Sequence, residues 1–353
     1  MALAAEKKWL FTLFSAAFLT LILFLSAIST FSSFNGFQAT PDFTSSVQYG
    51  PHYPPSFAYY ISGGKGQKDQ IFRLLLAVYH PRNRYLLHLG SDATNEERSR
   101  LALAVRAVPA IRAFGNVDVV GKPDPATYMG SSNIAATLHA AAILLKVDHS
   151  WDWFITLSAL DYPLLTQDDL SHAFSSVRRD LNFIDHTSNL GWKEDQRVQP
   201  IVVDPGIYLA RQRNQIFHAT QKRPTPEAFK FFTGFQNMTV NSDLRYMVWD
   251  NPPKMEPRYL NVSDYEKMVQ SGAAFARQFH KDESVLSAID KKILKRSSNR
   301  ATRGAWCTGQ SNFWMDPCSK WGDVNIVKAG PQAKRFKESM TDLLDDYNSE
   351  ACK

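Results

Sequence analysis

The sequence predicts an α/β protein with a mostly parallel sheet, carried behind one amino-terminal transmembrane helix. Three observations predict it. The run Trp9–Phe34 contains no charged residue. From Phe57 onward, short apolar segments alternate with helix-spaced amphipathic ones. Hydrophobic residues make up 44% of the chain, enough to fill a sizeable core. A repeated β-α order puts parallel strands in one sheet with helices on its faces.

Residues 1–8 form a short tail with Glu6, Lys7 and Lys8 at its end. Residues 9–34 are long enough to cross a bilayer, which takes about 20 apolar residues. The preceding lysines favour keeping that end in the cytosol, so the rest of the chain faces a lumen. A cleaved signal peptide is the alternative, since Ser26, Ala27 and Ser29 are small. Its apolar core is usually about 7–15 residues, so length favours an uncleaved anchor. Residues 35–56 are rich in Ser, Thr, Pro and Gly and read as a stem. Residues 57–353 form the globular part.

Within it, FAYYI after Pro55 reads as a buried strand, and Ile71–Tyr79 has helical spacing. RYLLHLG at Arg84–Gly90 is a second strand, and Asn95–Val108 an amphipathic helix. Val117–Val120 is a third strand. Ser131–Val147 is an Ala/Leu-rich helix with Ser131 or Ser132 as its cap. Trp153–Leu160 is a fourth strand, expected to be buried on both faces because its apolarity is near-continuous. A further helix starts near Thr166, where Asp168 and Asp169 read as capping residues.

Open α/β sheets bind ligands at the carboxyl ends of their strands. Asp161 stands at the end of the fourth strand, where a carboxylate can hold a sugar hydroxyl, a ribose or a metal. It can equally cap the turn before Pro163. Gly63-Gly64-Lys65-Gly66 lacks the third glycine of a dinucleotide fingerprint and the Gly-Lys-Ser/Thr of a P-loop. It reads as a turn near a nucleotide. There is no Gly-x-Ser-x-Gly elbow and no clear Asp-x-Asp for a divalent metal. A net charge of +6 is too mild to argue for nucleic acid. Of the three cysteines, Cys307 and Cys318 flank a turn-rich segment that a disulfide could staple, leaving Cys352 over. Three reduced thiols are the alternative. Asn237-Met-Thr and Asn261-Val-Ser match the N-glycosylation pattern, which carries meaning in a lumen.

Leu74–Gly90 and Tyr128–Leu170 resemble the core-2/I-branching glycosyltransferase family. DLRYMVWDNPPKMEP, SGAAFARQF and VNIVKAGPQAKRF resemble its plant branch in particular. The resemblance runs from about residue 57 to the carboxyl terminus. It implies a Golgi membrane protein of type II topology, anchored through residues 9–34, with a GT-A-like nucleotide-sugar transferase fold. It implies a UDP-sugar donor, foremost UDP-glucuronate, and a galactan or glycoprotein acceptor such as arabinogalactan protein. Animal relatives transfer N-acetylglucosamine instead. The family is expected to work without a metal, with basic side chains on the donor diphosphate, and Arg277 and Arg258 stand near those positions. The matching cation position itself holds Gln278. Gly191–Pro200 resembles the acceptor-side loop, where Trp192 would stack on a sugar and Lys193, Glu194 and Arg197 would bond its hydroxyls or a carboxylate. For these side chains, simple solvation is the competing reading.

The resemblance also shows a gap. In relatives, the stretch matching Ala228–Gly234 continues into further elements that carry the acidic catalytic base. Here Gly234 joins Phe235 directly, and neither Glu227 nor Glu256 matches the base position. No catalytic base is therefore assigned. Three functions stand: a Golgi transferase, a truncated or non-catalytic relative that binds sugar or a partner, and an anchored hydrolase or reductase. The missing motifs weigh against the third.

Overall fold

The computed structural model describes residues 46–126, 130–185, 199–205, 207, 217–224, 238–252, 254, 256–309 and 316–351. The stretch 9–34 lies outside them. Among the described residues, no helix is long and apolar enough to cross a membrane.

Phe57–Gly63 (β1) opens the sheet, and Phe57 to Ile61 are all buried. Lys68–Ala77 (α1) turns Ile71, Leu74, Leu75 and Leu76 inward. Arg84–Leu89 (β2) follows, then Asn95–Ala107 (α2), whose cap Thr94 accepts the Glu97 N–H. The helix expected to reach Val108 ends there because Pro109 starts a separate turn, Pro109–Phe114 (α3). Val117–Val119 (β3), Ser132–Val147 (α4) and Trp153–Ser158 (β4) complete the alternation. The strand order is β3-β2-β1-β4, and each pairing is parallel.

Two expectations need correction. β4 pairs with β1 and ends the described sheet, so Phe154, Ile155 and Thr156 are only half-buried. Both of its faces pack, Trp153, Ile155 and Leu157 on one and Phe154 on the other, but burial is incomplete because no described strand covers its second edge. At α4, the cap position is Ser131, but its side chain makes no capping bond. Asp204, distant in sequence, accepts the Ser132 N–H at 2.7 Å instead.

The core stacks Tyr59 on Tyr85, ring centroids 5.2 Å apart. On the other sheet face, Ala58, Tyr60 and Leu86 meet Ala140 and Leu144 of α4. A second sheet is built from Asp161–Pro163 (β5) and two later strands. Gln167–Phe174 (α5) begins at a capping box between Thr166 and Asp169. Asn182–Phe183 (β6), Pro200–Val203 (β7), Phe217–Lys222 (β8) and Thr239–Val240 (β9) form two small pairs, β6 with β9 and β7 with β8. Arg245–Met247 (β10), Tyr265–Gln270 (α6) and Phe275–Arg277 (β11) follow, and β11 lies between β10 and β5. Ser284–Lys292 (α7) and Pro331–Ala351 (α8) close the domain.

The domain starts earlier than the stem composition implies. Arg82, 3% exposed, donates to the carbonyls of Gln48 at 2.8 Å and Pro54 at 2.6 Å. Its other Nη holds Asn325 at 2.5 Å, and Asn325 donates to the Ser46 carbonyl at 3.0 Å. Residues 46–56 are thus strapped to the folded unit rather than standing apart from it as a linker. Composition missed this because the hold comes from backbone carbonyls, which any sequence supplies.

Candidate active site

The carboxyl edge of the parallel sheet carries the site. Gly63 ends β1, and its carbonyl accepts the Gly90 N–H at 2.8 Å. A Cβ at Gly63 would meet Ile71 Cδ1 at 2.9 Å and Ala159 Cβ at 3.0 Å, so any larger residue would have to displace the Ile71 side chain. The following turn is pinned by Asp92, which accepts the Lys65 N–H at 2.8 Å, and by Glu97, which accepts that of Gly66. The glycine-rich turn and the β2–α2 connection thus form one rim.

Asp161 begins β5 one short turn beyond β4 and is 2% exposed. It does close that turn, accepting the Ser158 N–H at 2.7 Å. It also faces two cations. Arg277 on β11 lies directly across from it, Nη1 3.7 Å from Oδ1. Arg245 on β10 brings Nε to 4.0 Å from Oδ2, while its guanidinium also donates to the Thr156 carbonyl. Burial pushes the Asp161 carboxyl above the usual range, against the pull of Arg245, Arg277 and the Ser158 hydrogen bonds.

A cleft of about 290 Å³ opens beside it, lined by Arg73, Asp161, Tyr162, Phe279, His280 and Lys281 among others. Its floor is a buried charge network. Asp290 of α7 accepts from Arg73 at 2.7 Å, from Arg296 at 2.8 Å and from the Tyr162 hydroxyl at 2.6 Å. Arg296 also donates to Tyr162 at 2.8 Å. Burial raises the Tyr162 phenol to about 12, so it stays a donor to Asp290. Sequence reasoning missed Arg73, Asp290 and Arg296. The signal was present: Asp290 stands beside Ile289 on the apolar side of a helix, where a carboxylate needs partners.

The other candidates scatter. Arg258 makes a fork to Asp264, at 2.7 and 3.1 Å, and lines a separate hollow with Asp250, Glu256 and Gln278. Gln278 is 1% exposed and donates to the Pro257 carbonyl at 2.6 Å. Asn261 is exposed, its side-chain oxygen accepting from the Ser263 N–H and hydroxyl. Cys307 and Cys318 are joined by a disulfide with Cα atoms 4.8 Å apart. Trp192, Lys193, Glu194, Arg197, Asn237 and the Gly234–Phe235 junction lie outside the described residues, as does Cys352. Among the described residues, no three His, Cys, Asp or Glu side chains gather in a way that could hold a metal.

Comparison with known proteins places this architecture. Residues 57–265 match the family described as core-2/I-branching enzyme. Beta-glucuronosyltransferase GlcAT14A of Arabidopsis thaliana is 42% identical over 351 residues, covering 85% of this chain and 78% of the relative. GlcAT14B of the same plant is 42% identical, covering 82% and 78%, and GlcAT14C is 40% identical, covering 84% of each. The GlcAT14A alignment is 351 residues long yet takes in about 300 residues of this chain, so about 50 residues of that relative have no counterpart here. The other two alignments show a deficit of the same size. With a sheet whose carboxyl edge opens on a cleft that holds Arg73, Lys281 and Asp161, and with this identity over most of its length, the chain belongs to the core-2/I-branching family of glycosyltransferases.

Proposed function

We propose that this chain derives from a Golgi glucuronosyltransferase, one that passes glucuronate from UDP-glucuronate to galactan chains of arabinogalactan proteins with inversion. We propose also that the form given by this sequence retains donor-side elements but has lost most of its turnover. The identity to three plant glucuronosyltransferases carries the first part. The deficit of about 50 residues carries the second.

In an inverting transfer, the acceptor hydroxyl forms a bond to the sugar's anomeric carbon as the bond to the diphosphate breaks. The hydroxyl proton goes to a carboxylate, and UDP leaves. Cations neutralise the departing diphosphate, a role open to arginine without a metal. Arg277, steered by Asp161, and the cleft cations Arg73 and Lys281 are the groups for that role. Asp161 is 2% exposed, holds the Ser158 N–H through one oxygen and faces both arginines across 3.7–4.0 Å, so it reads as a positioning residue rather than the base. Losing a positioned base costs about 10²–10⁴-fold in rate. Losing the elements that align the acceptor costs more. The outer face of α4 supports the reading of lost cover: Ile134 and Leu138 are each 65% exposed, one turn apart.

The test is donor-dependent product formation by this chain and by a version with the missing residues restored at Gly234–Phe235. Glucuronate transfer to a galactan oligomer by the restored form alone is expected. Equal turnover by the short form would place the base elsewhere. Transfer of N-acetylglucosamine in place of glucuronate would overturn the donor assignment.

A further inference from the structure

A second groove lies away from the cleft, at the other end of α7. Asp282 and Leu286, at the amino end of that helix, line the cleft, while Lys292 at its carboxyl end lines the groove. Its volume is about 660 Å³. Lys292, Lys295, Arg303 and Lys328 stand along it, and all four are exposed. Two of them are held in place: Lys292 sits 4.7 Å over the Tyr265 ring, and Arg303 donates to the Gly309 carbonyl at 2.9 Å.

Asp168 and Asp169 also belong to its wall, but their charges do not reach the opening. Asp168 is 3% exposed and accepts the N–H groups of Ala305 at 2.8 Å and Lys328 at 2.9 Å. Asp169 is 1% exposed and accepts that of Gly330 at 2.5 Å. The charge presented outward is therefore positive. The rest of the lining is uncharged: Gly304, Ala305, Gly330 and Pro331 with Thr166 and Gln332, over the buried Ile293 and Leu294.

We propose that this groove binds an anionic polysaccharide bearing uronate carboxylates, independently of the donor cleft. A single phosphate or nucleotide calls for donors that converge on one point, usually in a tight loop. Here the backbone N–H groups of Ala305, Lys328 and Gly330 that could cradle a phosphate are already taken by Asp168 and Asp169, which leaves four exposed side-chain cations around a groove of about 660 Å³. Spaced carboxylates on a chain of pyranose rings match that pattern. With the two sites at opposite ends of one helix, a chain held in the groove would keep an acidic glycan beside the cleft. The assignment does not depend on transferase activity.

The test uses the purified full chain in detergent with no donor present. The probes are oligogalacturonate, a neutral galactan oligomer of equal length, a sulfated dextran and vesicles of anionic lipid. Retention of oligogalacturonate over neutral galactan, weakened by salt, is expected. Lys295→Glu with Lys328→Glu should lower that affinity about tenfold or more, and the paired change to Gln should fall between. Both variants should keep the parent's UDP affinity and thermal midpoint, which separates lost binding from lost folding. Equal retention of neutral galactan, an unchanged double variant, or binding confined to sulfated dextran or vesicles would each overturn the proposal.

Discussion

Two buried aspartates, Asp161 and Asp168, respond to pH in opposite senses. Asp161 has its folded pKa raised by burial, which the facing arginines do not offset. Folding therefore favours its protonated form. Its contribution to stability is greatest below the unfolded value and is lost as pH rises through the folded one. Asp161→Asn should consequently unfold no earlier than the parent at neutral pH, and any advantage should shrink on acidification. At Asp168, burial also pushes upward, but His80 and the backbone N–H groups of Lys328 and Ala305 outweigh it, and the pKa is lowered. That contribution is present above the unfolded value and is lost as pH falls through the folded one. Asp168→Asn should cost about 1–3 kcal/mol near neutrality, because a charge-assisted acceptor of two N–H groups is weakened. The cost should vanish at low pH, where the parent carboxyl is itself neutral. Urea unfolding of both variants across a pH series checks the pair, and parallel slopes would contradict the assignment.

At the scale of elements, the parallel sheet was legible in the sequence and the second sheet was not. β1, β2 and β4 are runs of six or seven residues between turn formers, and apolar pattern locates such runs. β5, β10 and β11 have three residues each, too few for any periodicity, and they are placed by tertiary pairing. The candidate site suffers from this most. Asp161 was found because it follows a legible strand, whereas Arg245 and its pairing with Asp161 depend on illegible ones. Arg258 could be named by likeness, but its fork to Asp264 requires the fold around α6. The disulfide belongs at this scale too. It closes a short loop, with partners 11 apart in sequence, beside the fully buried Trp306. Chain-entropy reasoning gives such a crosslink about 2–3 kcal/mol. Changing both Cys307 and Cys318 to Ser should lower the thermal midpoint accordingly, and an unchanged midpoint would show that packing of Trp306 holds the segment alone.

At the scale of the whole molecule, the proposed lumenal orientation is tested through Asn261, which is exposed. Protein from plant membranes should resist carbonate extraction, and glycosidase should increase its mobility. Asn261→Gln should reduce that shift or, if Asn237 is unmodified, abolish it. A soluble protein of unchanged mobility would defeat both the anchor and the lumenal assignment. The strap at residues 46–56 adds a mechanical consequence. It delivers the chain to the amino end of β1, whereas the cleft opens at the carboxyl end. With strands of six or seven residues at about 3.3 Å each, roughly 20 Å of sheet separate the two rims. Any pull applied through residue 46 would therefore act on the rim remote from the mouth. Arg82 and Asn325 would take that load first, like a cleat on a rope, so it would reach the frame of the domain before it reached the cleft.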